Sequence, residues 1–157
     1  MNATTSKIAL SLYGLVAFLD IIGRFYNSFA MDLLFKPLLM PILLFYFCHQ
    51  ITKPYKKSTI LVAIAIVFSW LGDVFLIFDA KHELEFILGL ASFLIAHVLY
   101  IFAYRKMVIE TNKPHFILQK KILILPFLAL LIGFYGYLFP HLGELTIPVF
   151  IYASSIV

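Results

Sequence analysis

Five stretches of this 157-residue chain are apolar for about the length of a membrane crossing: residues 8–23, 33–51, 58–78, 84–104 and 122–139. A bilayer core about 30 Å thick is crossed by roughly 20 helical residues, and these runs approach or meet that measure. Each is apolar around its whole circumference, the pattern of a helix enclosed by lipid and other helices rather than by water. Composition points the same way. The chain is 63% hydrophobic and 13% charged, with a mean hydropathy of +1.01, where soluble domains are about half apolar and a quarter charged. That excludes a soluble fold, and 17% aromatic content excludes disorder.

The predicted fold is all-α: a polytopic transmembrane helix bundle of five full spans, one integral membrane domain over residues 1–157, because no linker separates two units. A sixth run starts at Leu145, with Thr146 and Pro148 placed as at a helix start. It reaches about 20 Å by Val157, so the expectation is a truncated sixth span in a protein that continues. The first run also admits a secretory-signal reading, since Ser28-Phe29-Ala30 offers small residues in a cleavage-like pattern, but one positive residue and Asp20 inside the run fit it poorly.

Lysine and arginine set the expected orientation. With the N-terminus in the cytoplasm, Lys7, Lys53, Lys56, Lys57, Arg105, Lys106, Lys113, Lys120 and Lys121 lie inside, nine of the twelve basic residues; Arg24, Lys36 and Lys81 lie at or near the outer edge. The loops suit a bacterial inner membrane or an endoplasmic reticulum membrane. The formal charge of +4 belongs to these short gaps, so it reads as a topology signal with affinity for anionic lipid, not as a nucleic-acid footprint. The single cysteine, Cys48, excludes an internal disulfide and is expected to fill the core.

The informative residues are those that lipid excludes, at about 2.5–3.5 kcal/mol for a charge at the centre of a span on insertion scales. Asp20, Lys36, Asp73 and His97 are such residues. The first three share the outer half in this topology and are expected to share one cavity. Asp73 interrupts the longest apolar stretch, and Ser69, four residues before it, lies on the same helix face. Surroundings poor in water disfavour a charged carboxylate, so an acid there can remain protonated and donate, while a nearby Lys36 acts in the opposite sense. Against this stands a packing carboxyl tied to Lys36 or to the backbone. Asp20, near the interface, is expected mainly to reach the headgroups.

His97 sits roughly 10 Å deeper than Asp73, in an aromatic stripe of Phe93, His97, Tyr100 and Tyr104 beside the small residues Gly89, Ser92 and Ala96. A hydrogen-bonded structural histidine and a functional one are equally compatible with that position. Histidines 49, 82, 97, 115 and 141 are dispersed, with no pair at helical spacing, and no phosphate loop, nucleophile elbow or Cys-x-x-Cys occurs. No metal and no cofactor is therefore expected.

Phe35-Lys36-Pro37-Leu38, Ser69-Trp70-Leu71-Gly72-Asp73-Val74-Phe75-Leu76, Phe86 to Gly89, Phe93-Leu94-Ile95-Ala96-His97-Val98-Leu99-Tyr100-Ile101 and the late Pro148-Val149-x-x-Tyr152 together resemble the YhhN family of membrane lysoplasmalogenases. The resemblance runs along nearly the whole chain. It implies about eight spans, cleavage of the vinyl ether bond of lysoplasmalogens to a fatty aldehyde and a glycerophospho-headgroup, and Lys36, Asp73, His97 and Tyr100 as the matching polar positions. It also implies a Ser-Asp motif in later spans, which this chain lacks before Val157, so the expectation is that these residues alone are incomplete as a catalyst.

The chemistry suits the residues. A vinyl ether hydrolyses when an acid protonates its β-carbon, giving an oxocarbenium ion that water captures; two carboxyl groups serve that sequence, one neutral and one ionised, as in glycosidases. Asp73 is the expected general acid. The second carboxylate is expected in the later Ser-Asp motif, with Asp20 a fallback. Lys36 suits the headgroup phosphate, and His97, Tyr100 and Ser69 complete the expected substrate contacts. The partners expected are a lysophospholipid substrate and membrane lipid, with self-association left open. The competing readings are a small transporter or channel that uses the same charges as a proton or solute path, and a non-catalytic membrane scaffold.

Overall fold

The computed structural model describes residues 3–51, 54–78, 83–111 and 121–156, and every regular element among them is helical. The elements are α1 (Ala3–Phe25), α2 (Phe29–Gln50), α3 (Lys57–Phe75), α4 (Glu83–Thr111), a 3-10 turn (Lys121–Ile124), α5 (Leu125–Leu138), two further 3-10 turns (Phe139–His141 and Gly143–Leu145) and α6 (Thr146–Ile156). Helices α1 to α4 are long and apolar enough to cross a membrane.

The fifth run departs from the sequence expectation. Its α-helical part is 14 residues long, about 21 Å, and proline sets both limits. Pro126 occupies the start of α5, where its missing N–H costs nothing. Pro140 leaves the Gly136 carbonyl without its N–H partner one turn on, and from Phe139 the chain tightens into 3-10 turns. The sixth run begins where Thr146 and Pro148 placed it, as α6.

The turn from α1 to α2 is a Schellman motif. Asn27 takes φ 49, a left-handed position that asparagine tolerates better than most residues. The N–H of Ser28 donates to the Gly23 carbonyl at 2.9 Å, and that of Asn27 to the Arg24 carbonyl at 3.1 Å.

The helices join in a row. α3 packs most extensively on α4, α1 packs on α2 and α2 on α3, α6 packs on α4, and α5 touches α6. The seam residues are small: Ala65, Ser69 and Gly72 of α3, and Gly89, Ser92, Ala96 and Ala103 of α4 are buried. Gly72 and Gly89 make the approach possible. A Cβ at Gly72 would stand 2.7 Å from the Phe93 ring, and one at Gly89 would stand 2.8 Å from Leu76 Cγ. Large aliphatic and aromatic side chains point outward instead, among them Leu12, Leu34, Ile64, Leu88 and Phe134. Small residues inside and large apolar residues outside is the arrangement of helices that associate in lipid. Cys48 follows the outward pattern: it is exposed, which corrects the expectation that it fills the core, because its face of α2 has no helix against it.

The row has two unlike ends. At one, Gln50 donates to Ser6 at 3.1 Å and Ser58 donates to Glu110, which ties α1 to α2 and α3 to α4 beside Lys7, Lys56, Lys57, Arg105 and Lys106. At the other lie Asp20, Arg24, Lys36 and Asp73. Lys53, Lys81, Lys113, Lys120, His82 and His115 lie outside the described residues.

Candidate functional site

The last turn of α3 carries Asp73, half-buried, one residue beyond the glycine that lets α4 approach. The antiparallel course of the helices brings the end of α1 and the first turns of α2 to the same level. The charges of Lys36, Arg24 and Asp20 act on Asp73, so three elements contribute to one electrostatic cluster. Among the described residues no basic group approaches Asp73 as an ion pair; the pair that forms is Arg24 Nε to Asp20 Oδ2 at 3.0 Å. Asp73 therefore feels Lys36 at a distance.

Asp20 is not a residue that reaches for headgroups. It is 6% exposed, held by Arg24 one turn later, and its Oδ1 has no hydrogen-bond partner among the described residues. Asp32 Oδ1 and Glu85 Oε2 are likewise buried and unpartnered. These two acids stand in the first turns of α2 and α4, where the positive end of the helix dipole favours them.

Lys36 owes its place to an unusual stretch of α2. Pro37 and Pro41 lie within the helix. Pro41 has no N–H to give to the carbonyl of Pro37 four residues earlier, and the Trp70 indole N–H of α3 donates to that carbonyl at 2.8 Å.

α6 adds Tyr152. Its phenol lies within the electrostatic reach of Asp73. Its ring meets His97 edge-on at 5.6 Å between centroids and approaches Phe93 at 6.4 Å. His97 Nδ1 is 2.7 Å from the Phe93 carbonyl. A carbonyl only accepts, so Nδ1 carries a hydrogen.

The aromatic stripe of α4 thus divides. Phe93 and His97 meet Tyr152, but α6 is only 11 residues long and covers one part of α4. Tyr100 is 36% exposed and is not brought to Asp73. Ser69 is buried in the α3–α4 seam on the face of Asp73. Sequence reasoning did not select Arg24, Tyr152 or Trp70 as site residues. Arg24 had a visible signal in its four-residue spacing from Asp20; the partners of Tyr152 and Trp70 lie on other helices.

Two hollows bear on binding. One of about 240 Å³ lies between α4 and α6, lined by Leu90, Leu94, Ile147, Pro148 and Tyr152. A larger one, about 660 Å³, lies at the opposite end of α3 from Asp73, lined by Phe47, Lys56, Ser58, Ala103 and Met107. Among the described residues no three His, Cys, Asp or Glu side chains are grouped to hold a metal ion.

No curated protein and no solved structure matches the chain. The YhhN family model matches residues 31–157, a region that contains Lys36, Asp73, His97 and Tyr152 and four-fifths of the sequence, and the chain belongs to the YhhN family.

Proposed function

We propose that this chain is a membrane hydrolase that cleaves the vinyl ether bond of lysoplasmalogens, yielding a fatty aldehyde and a glycerophospho-headgroup. The observation that carries the reading is a half-buried carboxyl, Asp73, with no ion-pair partner among the described residues but with Lys36 acting on it, at one end of a bundle whose outer faces are apolar. In this reading the protonated Asp73 gives its proton to the β-carbon of the alkenyl chain. The electron pair of the double bond forms the new C–H bond, and the ether oxygen stabilises the resulting cation. Water adds to the cationic carbon bonded to the ether oxygen, losing a proton, and the hemiacetal collapses to aldehyde and alcohol. Among the described residues, Asp20 is the other acid whose charge reaches Asp73; the resemblance puts the second carboxylate in a later Ser-Asp motif.

Lys36 receives the headgroup phosphate as a point charge on a flexible stem. Tyr152 and His97 wall the site on the α4–α6 side, next to the apolar hollow, so the alkenyl chain enters sideways from hydrocarbon. The site faces the outer side of a bacterial inner membrane or an endoplasmic reticulum membrane, with the N-terminus in the cytoplasm. The test is to incubate the purified full-length protein with lysoplasmalogen and with its saturated ether analogue. Aldehyde release from the first alone supports the reading, because the saturated ether has no double bond to protonate. Release from neither removes it.

A further inference from the structure

The Trp70 indole bonds a carbonyl that α2 itself cannot satisfy. In an uninterrupted helix the N–H of residue 41 would bond the carbonyl of residue 37; proline at 41 has none, and its ring crowds that carbonyl away from the helix axis. A bare peptide carbonyl inside a membrane is costly, and a donor from the neighbouring helix meets it at 2.8 Å. The two ends of this bond are placed to matter. Pro37 follows Lys36 directly, and Trp70 stands one turn before Asp73 on α3. One hydrogen bond therefore fastens the backbone beside the cation to the turn that carries the acid.

We propose that Trp70 is a positioning residue, whose indole holds the Lys36 segment of α2 in register with Asp73 so that the phosphate and the alkenyl end of one lysolipid meet their two groups together. The inference rests on the function proposed above and adds to it a residue that touches neither end of the substrate. It assigns Pro41 a purpose: its missing N–H frees the Pro37 carbonyl through which α3 grips α2 at this level.

The probe is the saturated ether lysophospholipid, which occupies the site without reacting. Its binding to the purified chain in detergent is measured by calorimetry for wild type, Trp70→Phe, Lys36→Gln and the double variant. Trp70→Phe keeps an aromatic ring and removes the donor. The expected result is a dissociation constant raised about tenfold by either single change, with no further rise in the double variant, because Trp70 acts through Lys36. In turnover, Trp70→Phe raises KM about tenfold and alters kcat less than twofold.

Trp70 is the chain's single tryptophan, so its intrinsic emission adds a direct readout in the wild type: the probe shifts the emission, and Lys36→Gln moves the midpoint of that titration to about tenfold higher probe concentration. Single effects that multiply in the double variant overturn the inference, as does unchanged binding by a folded Trp70→Phe. If Trp70→Phe does not fold, the emission titration of wild type and Lys36→Gln decides, and equal midpoints in the two overturn the proposal. If the wild type binds the probe with this coupling but releases no aldehyde from lysoplasmalogen, the hydrolase reading falls and the positioning role stands.

Discussion

A carboxyl group at Asp73 is the reagent in the proposed chemistry, and its substitution is the sharpest test at the scale of one side chain. Asp73→Asn is nearly isosteric, has no acidic proton to give, and should lower aldehyde release at least about a hundredfold, the usual contribution of a general acid. Because Asp73 makes no ion pair among the described residues, thermal unfolding in detergent should move little. Arg24→Ala should behave in the opposite way. It leaves Asp20 buried with neither oxygen partnered by arginine, a loss of about 1–2 kcal/mol of stability measured by thermal unfolding, tempered by the exposure of the arginine. Asp73 and Lys36 were legible because each breaks an apolar run, and a charge inside hydrophobic sequence is conspicuous. Tyr152 was not, since a tyrosine in a span reads as an interfacial belt and its contact with His97 arises only when α6 folds back on α4. Asp20 was misjudged because depth along one helix does not reveal what packs beside it.

Helices in this chain are joined by what their glycines leave out. Gly72→Ala places a methyl 2.7 Å from the Phe93 ring, and relieving that overlap forces α3 and α4 apart; we expect a loss of about 1–3 kcal/mol and, with the seam open beside Asp73, a fall in turnover. Gly133→Ala and Gly136→Ala on α5 meet nothing within 4 Å and should be neutral or slightly stabilising, by up to about 1 kcal/mol. Comparison of the three melting curves checks both statements. The stripe of Gly89, Ser92 and Ala96 could be read as a contact face from spacing alone, and it is buried. The length of the fifth helix was misread from hydropathy, which counts apolar residues and is indifferent to the backbone hydrogen bond that Pro140 removes.

Across the whole molecule, charge is unevenly shared between the two ends of the row, and this yields a prediction about orientation. In a Cys48→Ala background, a cysteine at position 56 should react with a membrane-impermeant thiol reagent only from the cytoplasmic side, and one at position 27, in the turn after α1, only from the other. Labelling in the reverse sense would invert the topology and put the proposed site on the cytoplasmic face. The buried residues are mostly alanine, serine and glycine, with Val16, Ile66 and Ile77 the larger apolar ones, and no large side chain among the described residues is fully enclosed. Such a protein has no greasy centre of its own to fall back on: the surrounding acyl chains are its outermost packed layer, and swapping them for a short, mobile surfactant should loosen the grip between α2 and α3 before any helix melts.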